Sequence, residues 1–405
     1  MSPIDKTKLD TFELKIIFIL MEPEIDCSLT GCIDDLVLTG EIDELELVLS
    51  MADHDDFKST NIEAHEEAKR RLLLRIQELK NCGPDQFRKY ACDGENVTFM
   101  LERYGVAIVP SILDEKECDD MVNGMWDFLE HITADMEVPI RRDDERSWLS
   151  FYDLFVIHSM LMQHWQVGHA QFVWILRQNP KIVDIFARIW GVEREDLIVS
   201  FDGAAFHMPS EVTNRGYFRG KEWLHCDQNF NNSNFICVQS WVTGLEVRPG
   251  DATLTFLEGS NRLHGDFAGA FELNVKDDWY KLTESEIQWY YNRGCRNMTI
   301  TCPPGSLVLW DSRTIHAGKE ALKDRQLRNF RCVVYLCYTP RSLITEANRK
   351  KKVKALDEMR MTSHWPHKVK LFATQPRTYG KELPKLRSLE PPVLNLLGLR
   401  LAGHK

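Results

Sequence analysis

The sequence lacks the features of a membrane or exported protein. No apolar run approaches the roughly 20 residues that a membrane-spanning helix needs, and the longest candidate extends only from Ile16 to Met21. The first residues, Met1 to Lys15, carry charges of both signs, which fits neither a secretory signal nor a transit peptide. We therefore expect a protein without a membrane span, located in the cytoplasm.

Regular cysteine spacing is also missing. The 11 cysteines include no C-x-x-C pair, and their number is odd. Disulfide frameworks normally use an even number of cysteines, and structural zinc sites use closely spaced pairs. We expect reduced thiols, several of them in the core.

Lys and Arg are absent from residues 16–57, which hold 12 acidic residues. The net charge of the whole chain is −11, so the remainder is close to neutral. A near-neutral body offers no electrostatic footprint for nucleic acid, and no nucleic-acid partner is expected. The acidic segment is either a solvated surface or a face for a protein partner.

Three regions are predicted along the chain. Residues 1–95 form an acidic, helical N-terminal extension, in which an amphipathic helix over 66–80 either packs on the body or forms a homodimer surface. Residues 96–340 form the main domain. Residues 341–405 form a C-terminal extension that wraps the core.

Short β-branched and aromatic runs alternate with Gly, Pro and Asn turns in the main domain. This pattern predicts an α+β fold with a mainly β core, a double-stranded β-helix (jelly roll) backed by helices. The backing helices are expected in residues 151–190, and a helix capped near Asp114 is expected to follow a first strand over 104–110. The later strands are predicted at Ile198–Phe201, Phe235–Val242, Ala252–Leu257, Met298–Cys302, Ser306–Asp311 and Cys332–Tyr338.

Candidate metal ligands lie in two of these segments. His225 and Asp227 are two residues apart in one predicted strand, so both can face one metal ion while Cys226 packs in the opposite layer. His316 follows after 88 intervening residues, and we place it at the end of the strand that includes Leu307–Asp311. Two histidines and one carboxylate with open positions are the ligand set of non-heme Fe(II) oxygenases.

An arginine opens the last predicted strand. Buried there, Arg331 can clamp a carboxylate co-substrate through two parallel hydrogen bonds. Arg328 is the rival for this role. Strand alternation allows only one arginine register to face the metal.

Six short motifs follow one another over roughly residues 95–340. They are Trp223–Gln228, Gln239–Val242, Phe256–Arg262, Pro304–Ser312, His316–Gly318 and Phe330–Arg331. Together they resemble the phytanoyl-CoA dioxygenase family of Fe(II)/2-oxoglutarate oxygenases. Asn261 departs from the histidine that the family often has there, and the stretch from His316 to Arg331 is a few residues longer than usual.

The resemblance implies a ligand set and a co-substrate. His225, Asp227 and His316 would bind Fe(II), and Arg331 would pair with the far carboxylate of 2-oxoglutarate. O2 would be the oxidant, with ascorbate as an activator.

Other polar residues are weaker candidates for the site. Gln239 can hydrogen-bond the co-substrate, and Asn229 and Arg219 can contact the substrate, although each can equally be a structural or solvated residue. His264 is interpreted as a surface-loop histidine rather than a substitute ligand.

The expected function is oxidation of a small organic metabolite with release of succinate and CO2. Hydroxylation is the default outcome, and desaturation or oxidative cyclisation is an alternative. The competing hypothesis is a non-catalytic jelly-roll binding or scaffold protein that acts through its acidic N-terminal region.

Overall fold

The computed structural model describes residues 86–154, 160–274 and 277–405, together with Leu49, Lys69, Arg70 and Leu73. The chain divides into two compact units, residues 1–83 and 84–405. The predicted acidic extension and its amphipathic helix over 66–80 lie almost entirely outside the described residues. The three-region division stays a prediction.

The described part of the second unit contains both helices and strands. The helices are α1 (Val97–Tyr104), α2 (Glu115–Ile132), α3 (Gln171–Arg177), α4 (Pro180–Trp190), α5 (Ser210–Thr213), α6 (His264–Ala270), α7 (Glu284–Tyr291), α8 (Glu346–Asp357) and α9 (Leu396–Leu401). The strands are β1 (Val106–Val109), β2 (Leu161–Met162), β3 (Leu197–Val199), β4 (Ala204–His207), β5 (His225–Cys226), β6 (Val238–Thr243), β7 (Thr253–Glu258), β8 (Tyr280–Lys281), β9 (Arg296–Thr299), β10 (Leu307–Asp311), β11 (His316–Lys319) and β12 (Arg331–Pro340).

The strands of the described residues form two antiparallel sheets. The larger has the order β1-β10-β6-β12-β4-β2, with β3 also paired to β12. The smaller has the order β8-β5-β11-β7-β9. These sheets and their helices confirm the predicted mixed fold with a mainly β, jelly-roll core.

The larger sheet is buried on both faces. Val308 and Trp310 of β10 join the apolar cluster between the sheets, which includes Phe256 of β7. Leu307 and Leu309 of the same strand point the other way, into the cluster shared with the helices. A strand covered on both faces reads as a continuous apolar run, and this explains why these runs were recognisable in the sequence.

The helical layer follows the predicted pattern. The segment 151–190 contributes α3 and α4, whose buried side chains pack in the helix-side core. Asp114 caps α2 through a reciprocal capping box with Glu117. Gly105, at φ +81°, ends α1 in the left-handed conformation that favours glycine.

His316 lies on a different strand from the one predicted. It opens β11 in the smaller sheet instead of ending the strand of Leu307–Asp311, which belongs to the larger sheet. The short segment between β10 and β11 takes the chain from one sheet to the other. A four-residue strand rich in His, Gly and Lys has none of the β-branched residues by which strands are recognised.

The C-terminal segment packs along the helices. Arg387 forms an ion pair with Asp135, with 2.6 Å between Nη2 and Oδ1. The Gln171 amide donates to the Val393 carbonyl at 3.1 Å. No helix within the described ranges is both long enough and apolar enough to cross a membrane. The described cysteines are free thiols.

The α2 capping box should contribute measurably to stability. We expect Asp114→Ala to lower the free energy of unfolding by about 1 kcal/mol, because the helix loses the acceptor for the Glu117 amide. Urea denaturation measures this. Asp120→Ala on the exposed face of the same helix is the control, and an equal loss there would contradict a specific capping effect.

Candidate metal centre

Pairing of two short strands assembles the candidate ligands. His225 of β5 and His316 of β11 are direct partners in the antiparallel register of the smaller sheet. Asp227 follows β5, and one donor atom from each of the three side chains lies within 4.8 Å of the other two. The structure therefore brings together the three residues that the sequence singled out as ligands.

The carboxylate of Asp227 lies against both imidazoles. Its Oδ2 is 3.4 Å from His316 Nε2, and its Oδ1 is 3.7 Å from His225 Nε2. The centroids of the two imidazole rings are 4.4 Å apart. Donor atoms at these separations can share one ion.

Backbone carbonyls fix the state of both histidines. His225 Nδ1 bonds to the Trp223 carbonyl at 3.2 Å, and His316 Nδ1 bonds to the Thr314 carbonyl at 2.9 Å. A carbonyl only accepts, so each Nδ1 carries the proton in these bonds and each Nε2 presents its lone pair toward Asp227. This arrangement is typical of metal-binding histidines.

Asp227 is held as an anion. Burial raises the pKa of its carboxyl, but the neighbouring imidazoles of His225, His364 and His316 favour the anion, and the net pKa is well below its usual value. The Gln239 amide donates to Asp227 Oδ2 at 3.2 Å. Gln239 therefore orients the carboxylate.

Cys226 turns away from this cluster, as alternation along a strand predicts. Its Sγ donates to the Gln228 carbonyl at 3.3 Å and packs in an apolar cluster with Leu224 and Phe230. Burial raises the pKa of the thiol, so the thiolate is disfavoured. Cys226 is a core residue.

Arg331 lies at the start of β12 and is buried. Its Nη1 donates to the Ala252 carbonyl at 2.9 Å, and its guanidinium lies 5.3 Å from the centroid of the Trp241 ring. The neighbouring Nε is buried without a hydrogen-bond partner. A cation with an unsatisfied donor fits an anionic ligand.

The rival arginine is in a different environment. Arg328 is exposed and forms an ion pair with Glu145, with 2.8 Å between Nη2 and Oε1. Of the two arginines, only Arg331 combines burial with an unsatisfied donor.

The sequence pattern of the phytanoyl-CoA dioxygenase family matches residues 101–326, more than half of this chain. The chain belongs to the phytanoyl-CoA dioxygenase family. It is an Fe(II)/2-oxoglutarate-dependent oxygenase, and the resemblance stated from the motifs is confirmed.

Two curated relatives illustrate the family. "Ava biosynthesis cluster protein O" of Aspergillus versicolor is 27% identical over 276 residues, covering 66% of this chain and 85% of that protein. A "Putative phytanoyl-CoA dioxygenase" of Dictyostelium discoideum is 23% identical over 135 residues, covering 32% of this chain and 36% of that protein.

Solved structures give more distant likenesses. The epimerase SnoN, in complex with Fe3+, alpha ketoglutarate and nogalamycin RO, is 16% identical with a TM-score of 0.39, covering 61% of this chain and 83% of its own. A putative oxidoreductase of Salmonella typhimurium LT2 is 13% identical with a TM-score of 0.48, covering 95% of this chain and 99% of its own.

The two residues that the sequence suggested as substrate contacts lie in loops of this dioxygenase-family chain. Arg219 is exposed between α5 and β5. Asn229 is half-buried, and its Oδ1 accepts from the Asn231 amide at 2.8 Å. Neither belongs to the cluster of candidate ligands.

The interpretation of His264 as a surface histidine is wrong. Its side chain is buried at the start of α6, where the imidazole stacks on Phe230 with 4.5 Å between centroids. Its Nε2 bonds to the Gln228 carbonyl at 3.3 Å. The aromatic cluster that covers it is built from residues distant in sequence, so the loop-like local sequence concealed its burial.

Sequence reasoning missed two residues near the centre. Burial raises the pKa of Tyr335, whereas the charge of Arg331 and a hydrogen bond with the Arg331 side chain lower the pKa, so the phenol lies beside Arg331. His364 acts on Asp227. The alternation Arg331, Val333, Tyr335 was the one sequence signal for Tyr335.

Buried His264 should make stability depend on pH. Burial lowers its pKa to about 4 from the ordinary 6.5, so acidification protonates the unfolded chain first. We expect stability to be lost as the pH falls from about 6.5 toward 4, with His264 contributing up to about 3 kcal/mol. Urea denaturation at several pH values should show a shallower decline for His264→Gln, and parallel declines would contradict this.

Proposed function

We propose that His225, Asp227 and His316 bind Fe(II), and that the protein oxidises a small organic metabolite while 2-oxoglutarate is converted to succinate and CO2. The observation that carries the proposal is the donor set itself. Two imidazoles expose Nε2 toward an anionic carboxylate, with all three donors within 4.8 Å.

The residues present fit the metal. Two neutral imidazoles and one carboxylate are the protein ligands of a non-heme Fe(II) oxygenase, and they leave other positions for co-substrate and oxygen. The centre is largely buried, with His225 only 5% and His316 only 4% exposed. A buried site excludes water from the oxidising step.

The residues also fit the co-substrate. Arg331 supplies a buried cation whose Nε has no partner within the described structure, which supports its pairing with the far carboxylate of 2-oxoglutarate. The Gln239 amide donates a hydrogen bond to Asp227. We propose that the same amide also contacts the co-substrate.

When bound, iron with 2-oxoglutarate and O2 supplies the oxidising chemistry, and ascorbate acts as an activator. Because Asp227 provides a carboxylate, no protein ligand position is left vacant for a halide, so we propose hydroxylation over halogenation. Desaturation and oxidative cyclisation are the other outcomes of the same chemistry. We further propose Arg219 and Asn229 as substrate contacts, a cytoplasmic location and a homodimer.

Succinate formation tests the proposal. Purified protein with Fe(II), ascorbate, 2-oxoglutarate and O2 should release succinate, and a pooled metabolite extract should increase the rate. His225→Ala should abolish release, because the metal loses a ligand. Absence of succinate in every condition, with no iron retained, would support the non-catalytic binding or scaffold protein.

The two arginines provide a matched comparison. Arg331→Ala should raise the KM for 2-oxoglutarate roughly 10- to 100-fold, the value of a charged hydrogen bond. Arg328→Ala should leave the KM unchanged, because that side chain pairs with Glu145 at the surface. The reverse result would move the anchor to Arg328.

Gln239 should tune the metal site. Gln239→Leu removes the donor to Asp227 Oδ2 and should weaken Fe(II) binding about tenfold or more. Anaerobic metal titration measures the affinity. Unchanged Fe(II) affinity in Gln239→Leu would show that the amide hydrogen bond has no role.

A further inference from the structure

Two tryptophans flank one of the candidate ligands. The Trp223 ring stacks on His225 with 4.5 Å between centroids and 9° between planes. The Trp279 ring lies 5.9 Å from the same imidazole at 37°. We call Trp223 and Trp279 the indole pair.

The indole pair is exposed although the histidine beside it is buried. Trp279 is 51% exposed and Trp223 is 36% exposed, whereas His225 is 5% exposed. The Trp223 indole N–H donates to the Gly318 carbonyl at 2.9 Å, which fixes the plane of the ring. Large apolar surface left open beside a buried polar centre is typical of a ligand site.

The C-terminal segment borders the same site. Lys368 forms an ion pair with Asp278, the residue before Trp279, with 3.2 Å between Nζ and Oδ2. The Lys368 ammonium also lies 4.0 Å from the centroid of the Trp365 ring. We call residues 363–368 the C-terminal wall.

A second contact connects the wall to the metal centre. Trp365 packs against Cys237 and Cys337. Cys337 of β12 is the direct register partner of Gln239, whose amide bonds to Asp227. The wall is therefore in contact with the strands that support the candidate ligands.

His364 is the polar group that the wall contributes. Its Nε2 is buried and has no hydrogen-bond partner within the described structure. The imidazole lies 5.4 Å from the Trp365 ring, centroid to centroid, and so belongs to the part of the wall that packs on β12. An unsatisfied polar atom beside a reactive centre is a candidate partner for a polar group of the substrate.

We propose that the substrate is a planar aromatic molecule that packs against the indole pair and hydrogen-bonds to His364. This proposal rests on the proposed oxygenase function and names its substrate class. The ring would lie beside His225, so a bond at the edge of the aromatic system would be presented to the metal.

The exposed indole rings favour an aromatic substrate. Indole rings present flat faces whose quadrupoles favour offset-stacked or edge-to-face contact with another aromatic ring. A flexible acyl chain gains burial from such a surface but no stacking. His364 and the near-neutral body suit a neutral molecule with one or a few polar groups.

Binding can be measured without turnover. The protein is loaded with Zn(II) and N-oxalylglycine, an unreactive analogue of 2-oxoglutarate, and titrated with 2-naphthol or decahydro-2-naphthol by saturation-transfer NMR. The two probes share a hydroxyl group and a bicyclic skeleton and differ in aromaticity. We expect 2-naphthol to bind at least about fivefold more tightly.

Variants separate the two contacts. Trp279→Ala should weaken 2-naphthol binding roughly two- to tenfold and affect decahydro-2-naphthol less. His364→Ala should weaken 2-naphthol but leave naphthalene, which lacks the hydroxyl, unchanged. Phe99→Ala, which removes an exposed aromatic ring on α1, is the control and should change neither.

Equal affinities for the two naphthol probes, no binding of either, or insensitivity to Trp279→Ala would overturn the proposal. Preference for tetramethylammonium over 2-naphthol would indicate a cationic substrate instead and would also overturn it. Succinate formation together with any of these results would leave the oxygenase function intact. Failure to form succinate or to bind metal would instead reject the proposed function.

Discussion

The antiparallel pairing of β5 with β11 is the constraint on which the site depends. It sets His225 directly opposite His316, and Asp227 follows at the end of the first strand. Because side chains alternate along a strand, a shift of one residue in this pairing would turn one histidine to the opposite face. The short connection from β10 into β11 therefore determines both the path of the chain and the position of His316 opposite His225.

Buried charge is balanced locally within the sandwich. The Asp227 carboxylate is surrounded by imidazoles and the Gln239 amide, so its ionisation survives burial. Arg331 is stabilised by the Ala252 carbonyl and the Trp241 ring, yet one donor remains unsatisfied. Leaving a buried donor unpaired is unfavourable. An anionic ligand that pairs with it would remove that penalty and gain affinity.

The strands covered on both faces were predictable because their apolar runs are continuous. The three candidate ligands were recognisable because alternation within β5 and the motif order reveal them. Short strands such as β4 and β11 were missed, since pairing partners rather than local propensity decide them. His264, Tyr335 and His364 were missed or misread for a related reason: their surroundings come from segments distant in sequence.

The family match ends at residue 326, ahead of Arg331 and the whole of β12. Yet β12 lies inside the larger sheet, where it pairs with β3, β4 and β6. A protein shortened to the matched region would lose a central strand, leave two unpaired edges in the middle of its sheet and expose strands prone to aggregation. The part of the chain that the family match covers is thus smaller than the part that must fold together.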